Sequence, residues 1–234
     1  MLVAAAVCPH PPLLVPGVGA GASDELDGLR AACDAAVAGL LASRPDLVVV
    51  VGEAPAVGPY PADAWGSLRA FGTAVEVGTG PGAPSLPLAL TIGRWLLDRS
   101  GTEAPVVLFG VSADADPRRC HDLGAALAGR ADRVALLAMG DGSARRSPKG
   151  PGYLDPRAEA FDASVAAALA AGDPAALASL DPGLAADLLV AGRAAWQVLA
   201  AAAEPGRWQG EVSYDAAPYG VTYLVAGWEP ADGS

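Results

Sequence analysis

The sequence predicts a single α/β domain over residues 1–234, a three-layer α/β/α arrangement in which a central, mostly apolar sheet is covered by helices on both faces. Three observations carry that expectation. Apolar runs of strand length alternate with longer segments whose leucines and alanines recur every three or four residues. Those runs are continuously apolar rather than alternating, as a strand buried on both faces requires. The chain, at 234 residues, is also long enough to bury a substantial core as one unit.

The elements follow in order. LVAAAVC (2–8) reads as a first strand; it lacks the basic leading segment of an export signal, and its apolar run is short. PHPPLLVP (9–16) follows, and the fixed φ of proline makes it a rigid presenter for His10, one of only two histidines. The Gly-rich GVGAGAS (17–23) has neither the G-x-G-x-x-G spacing nor a Walker lysine, so nucleotide binding is a minor reading of it. Ser23 is placed to cap a helix running through DELDGLRAACDAAVAGLLAS (24–43). DLVVVV (46–51) is a second strand, followed from 53 to 70 by a long loop rich in Pro, Gly and Ala. A helix over about 87–99, a strand at PVVLFGV (105–111), a helix over 117–129 and a strand at RVALLAM (133–139) come next. The loop GDGSARRSPKGPGYLDP (140–156) leads to helices over 156–171 and 183–203 and to a last strand, VTYLVAGW (221–228). Loops after residues 8, 51 and 139 are expected to open on one edge of the sheet, where α/β proteins place their sites.

Composition excludes several functions. A net charge of −11 without any Lys/Arg cluster argues against nucleic acid and against anionic membrane surfaces. The longest Ala-rich run carries Asp187 and Arg193, so no stretch of about 18 uninterrupted apolar residues exists. Three cysteines, Cys8, Cys33 and Cys120, form neither a disulfide framework nor a zinc ribbon, which points to a reducing, cytoplasmic setting. Lys149 is the only lysine, a bias of high-GC genomes.

Cys8 and His10 are two residues apart and would share a side of an extended strand, but two ligands do not make a metal site. On a helix the adjacent Cys120 and His121 face different ways, the cysteine to the core and the histidine to solvent. No G-x-S-x-G elbow is present. The residues alone lead to an α/β protein with a loop-built site around His10.

Three separated motifs add a resemblance: PHPPLLVP (9–16), GDGSARRSPKGPGYLDPRAEAFD (140–162) and APYGVTYLVAGW (217–228). Together they resemble the class III extradiol ring-cleavage dioxygenases, of the catalytic beta-subunit type of protocatechuate 4,5-dioxygenase and the related MEMO proteins. The resemblance implies an α/β/α fold and Fe(II) held by two histidines and a carboxylate, with positions open to a catechol and O₂. His10 matches the first ligand. The second falls in VVGEAP (50–55) on Ala54, with Glu53 beside it, and the acid/base histidine falls in MGDGSA (139–144) on Ala144. The third ligand falls near EVSYDAAPYG (211–220), on Glu211 or Asp215. With only His10 and His121, the family's set cannot be assembled; a substitute from His10, Glu53 and Asp215 is oxygen-rich and suits Mg²⁺ or Mn²⁺ as well as iron.

The expectation is therefore an extradiol dioxygenase-like protein that has lost the iron site and ring cleavage. It keeps a pocket lined by Pro11, Pro12, Glu53, Asp141, Ser143 and Tyr219 for a small molecule or a protein partner. The alternative is an active metal-dependent dioxygenase on a small aromatic substrate, using a non-standard ligand set around His10. Arg145 and Arg146 could attract an anionic ligand, Tyr214 could line the pocket, and self-association is expected, with Trp65 considered for the interface.

Overall fold

The computed structural model describes residues 1–19 and 24–231. Seven strands form one sheet in the order β3-β6-β2-β7-β1-β9-β8. Four of them, β1 (Leu2–Cys8), β2 (Leu47–Glu53), β6 (Val106–Val111) and β7 (Val134–Met139), are parallel neighbours at its centre. On one side β9 (Tyr223–Pro230) runs antiparallel to β1, and β8 (Trp208–Ala216) runs antiparallel to β9. On the other, the two-residue β3 (Gly58–Pro59) closes against β6. A small ribbon of β4 (Gly66–Ser67) and β5 (Glu76–Val77) lies in the loop after β2.

Continuous apolarity does what the sequence pattern requires. Ala4, Ala6, Cys8, Val48, Val50, Leu137 and Met139 face one core, shared with α1 (Asp27–Ala42) and α2 (Leu88–Ser100). The alternate positions Ala5, Val7, Val49, Val51, Leu136 and Ala138 face a second core. That core is shared with α3 (Pro117–Ala128), α4 (Ala158–Ala171) and α7 (Arg193–Ala203). Each central strand position feeds one of two cores, because successive side chains point to opposite faces. The sheet is thus the middle of three layers.

Several boundaries differ from the sequence reading. The helix expected over 183–203 is two, α6 (Pro182–Asp187) and α7, separated by a turn in which Leu189 takes φ 55° and Gly192 donates its N–H to the carbonyl of Asp141 at 2.9 Å. A Cβ on Gly192 would lie 2.2 Å from the Trp196 ring, so glycine is required where the turn passes that indole. The short α5 (Pro174–Ala178) starts at Asp173, which caps it by accepting from Ala176 N–H. Strand β8 lies outside the apolar runs, being an edge strand whose side chains alternate in exposure. The Ser23 cap lies outside the described residues; the chain enters α1 through a 3₁₀ turn over Asp24–Leu26.

Candidate functional site

The sheet order makes neighbours of segments distant in sequence. β1 and β7 run side by side to Cys8 and Met139, and the chain leaves both at the same edge, with Gly140 N–H donating to Cys8 O at 2.9 Å. At Gly140 a Cβ would lie 2.2 Å from Gly192 Cα, so the bare backbone lets the α6–α7 turn close over the end of β7. Asp141 then turns toward β1. Its Oδ1 accepts the backbone N–H of His10 at 2.8 Å and lies 3.6 Å from His10 Nδ1.

His10 is only 8% exposed, and its Nδ1 is shielded from solvent without a hydrogen-bond partner among the described residues. The chain then turns at once: Pro11 O and Pro12 O accept from Leu14 and Val15 N–H, closing a 3₁₀ turn over Pro12–Leu14 just after His10. From the other side comes Tyr223, the first residue of β9, buried, with a phenol pushed above its ordinary range by burial and next by the Asp141 charge. Imidazole, carboxylate and phenol thus come from the ends of three adjacent strands.

Beneath them lies a satisfied polar network. Asp162 on α4, 2% exposed, accepts from Ser143 N–H at 2.9 Å, from Thr222 Oγ1 at 2.6 Å and from Arg146 Nη1 at 3.3 Å. Burial raises the pKa of its carboxyl, while the hydrogen bonds from Thr222, Ser143 and Arg146 oppose that rise. Thr222 N–H and O pair with Ser143 O and Gly142 N–H, each within 2.9 Å. The loops after β7 and before β9 are therefore fastened to each other and to α4.

The other expected site residues are placed variously. Pro11 is buried and Pro12 half-buried just after His10, and Glu53 is half-buried at the end of β2. Ala54 is buried, its N–H donating to Val111 O and its methyl against Gly110. Ser143 is wholly buried; its hydroxyl donates to Leu188 O and accepts from Arg145 N–H. Ala144 follows, half-buried, its N–H on the Leu188 carbonyl. Tyr219 gives its hydroxyl to Glu25 at 2.8 Å, and Tyr214 packs against the α1/α2 core. Arg146 serves the Asp162 network, while Arg145 Nε is shielded and without a hydrogen-bond partner among the described residues. Trp65 is half-buried, its indole nitrogen enclosed.

Glu211 and Asp215 stand exposed on edge strand β8, with β9 between them and β1. Cys8 points into the core, where a hydrogen bond with Cys33 and burial push its thiol well up. Cys120 is buried, whereas the adjacent His121 side chain is 59% exposed on α3, as helical geometry demands. Consequently His10, Glu53 and Asp215 do not converge, and among the described residues no three His, Cys, Asp or Glu side chains form a cation site. The donor set does not fit Fe(II) held by two imidazoles and a carboxylate. Tyr223 and Asp162 were missed by sequence reasoning; the tyrosine interrupting the apolar VTYLVAGW was the available signal.

Two cavities, of about 620 and about 1050 Å³, open elsewhere. The first lies between α1 and the β8–β9 hairpin; the second, which shares Gly39 and Glu229 with it, lies at the start of β1, around Met1–Ala4, Arg133 and the α7–β8 turn.

No family model matches the chain, and no curated protein matches it. Among solved structures it is similar to that of uncharacterized protein JW3007 from Escherichia coli K12, with a TM-score of 0.57 and 12% identity over 97% of this chain and 99% of that one. At that identity the likeness shows the fold, an α/β fold of the same extent.

Proposed function

We propose that the cluster of His10, Asp141 and Tyr223 is a binding site without metal chemistry, in an extradiol dioxygenase-like protein that has lost the iron site and ring cleavage. The observation that carries this reading is the environment of His10. Its shielded Nδ1 faces one carboxylate, and among the described residues no second imidazole or third donor joins them. Ala54 and Ala144 stand where the resemblance puts the other histidines, and the remaining histidine, His121, is exposed on α3.

What the three side chains can do is hold a small polar ligand. Asp141 can accept a hydrogen bond, and the phenol, kept protonated by burial and by the nearby carboxylate, can donate one, beside the His10 imidazole. The turn over Pro12–Leu14 and the Asp162 network keep the walls rigid, which lowers the ordering cost of binding. The ligand is proposed as a small molecule, or a short segment of a protein partner, met in the cytoplasm. With a charge of −11, nucleic acid is not among the partners proposed, and no helix among the described residues is long and apolar enough to cross a membrane.

Metal content measured by mass spectrometry after anaerobic reloading with Fe(II) tests the reading, comparing wild type with His10→Ala. The expected result is substoichiometric metal in both. Near-stoichiometric metal in the wild type that is lost in the variant would overturn it in favour of an active metal-dependent dioxygenase built around His10.

A further inference from the structure

The core under α1 and α2 holds two of the three cysteines together. Cys8 closes β1, Cys33 stands on the buried face of α1, both are wholly enclosed, and their thiols share a hydrogen bond. Cys120 lies across the sheet in the other core, beside Arg193 and the Ala115 carbonyl. A single buried cysteine is accounted for as a small apolar filler. Two in hydrogen-bonding contact have a further capacity, because that contact is the starting geometry of a disulfide. The sulfurs must close to about 2.05 Å, and each side chain can turn about its χ1 bond to do so.

The pair also lies close to an opening. Ala36, one turn along α1 from Cys33, and Ser213, next to Tyr214, line the cavity of about 620 Å³ between α1 and the β8–β9 hairpin. Burial, and next the neighbouring Cys33, raise the pKa of the Tyr214 phenol; that side chain is itself only half-buried, so it spans from Cys33 to the surface. Helix α1 carries Gly28 and Gly39, and a Cβ at either would meet nothing within 4 Å. These glycines weaken the helix, which lowers the cost of the local opening that admits a small oxidant.

From this juxtaposition we infer that Cys8 and Cys33 are a redox modification site, a dithiol that a hydroperoxide converts to an intramolecular disulfide joining β1 to α1. One thiol, as its thiolate, attacks the O–O bond of hydrogen peroxide and becomes a sulfenic acid, and the departing hydroxide takes up the thiol proton as water. The second thiol then attacks that sulfur; the S–S bond forms and a second water leaves. Two thiols have lost two electrons and the peroxide has gained them, so no further co-reactant is needed. The bond closes a loop over residues 9–32, which holds His10, the Pro12–Leu14 turn and Arg30, whose Nε donates to Leu14 O at 3.0 Å. Oxidation thus ties the strand end that presents His10 to α1, and a thiol reductant releases it. This does not depend on what the His10 cluster binds.

The reduced whole chain, freed of reductant and treated with hydrogen peroxide, tests the inference. Thiols titrated in denaturant are expected to fall from three per chain to one. Trypsin, which passes over Arg44 before Pro45, puts the two cysteines in separate peptides, 1–30 and 31–69. These are expected as one species lighter by two hydrogens than their sum, and dithiothreitol is expected to separate them. The rate is expected to rise from about pH 7 to about pH 9, because the hydrogen bond with Cys33 and burial hold the Cys8 thiol well above its ordinary value and only a thiolate attacks. The thermal midpoint of the oxidised chain is expected to rise by roughly 5–10 °C, as closing a loop of that length restricts the unfolded chain. Cys33→Ala is expected to keep both remaining thiols under peroxide and to show no such rise, whereas Cys120→Ala still forms the cross-link. A wild-type titre that stays at three, sulfonic acids in place of the cross-link, or a cross-link that reaches Cys120 or a second copy overturns the inference.

Discussion

Asp162→Ala is expected to cost about 3 kcal/mol in denaturant unfolding, because it leaves Arg146, Thr222 and the Ser143 N–H without their shared acceptor in a buried place. Tyr223 has a different signature. Its folded phenol titrates above the ordinary value of 10.0, so the unfolded chain loses that proton first. The contribution is fully present below pH 10.0 and is lost as pH rises through the folded value. Thermal melts between about pH 8 and about pH 11 should therefore fall less steeply for Tyr223→Phe than for wild type. At this scale the sequence was half legible. His10 stands out among prolines, but its partner Asp141 lies 131 residues away and becomes a neighbour only through the strand order. Ser143 looked like a pocket residue beside Asp141, yet its hydroxyl is spent on Leu188 O. Spacing along the chain says nothing of either.

Among the elements, the five continuous apolar runs were readable because each central strand is buried on both faces and must be apolar throughout. Strand β8 was missed since only alternate side chains turn from solvent, leaving Glu211, Ser213 and Asp215 to look like a loop. The break between α6 and α7 was hidden by alanine-rich composition, although Gly192 marked it. Its purpose is tertiary: Gly192 must meet the chain leaving β7, backbone against backbone. Gly140→Ala, whose Cβ would lie 2.2 Å from Gly192 Cα, is expected to destabilise by about 3 kcal/mol, read as a lowered denaturation midpoint with an unchanged slope.

For the whole molecule, Cys8, Cys33 and Cys120 are each wholly enclosed, and they are divided between the two cores. Labelling with a thiol reagent is therefore expected to be slow in native buffer and to reach three groups per chain in denaturant. The two faces need not open together: Cys120 reports the core under α3 and α7, Cys8 and Cys33 the core under α1 and α2. Labelling of Cys120 alone at intermediate denaturant would show that one layer peels before the other.

The sheet ends on one side in β8, a nine-residue strand with no neighbour beyond it among the described residues. Such an edge is a template on which other chains could stack into fibrils. Glu211 and Asp215, too far out to ligate anything beside His10, set negative charge along that rim and oppose the stacking. Neutralising both is expected to speed the deposition of cross-β aggregates on gentle agitation relative to wild type, with the native fold still intact at the outset.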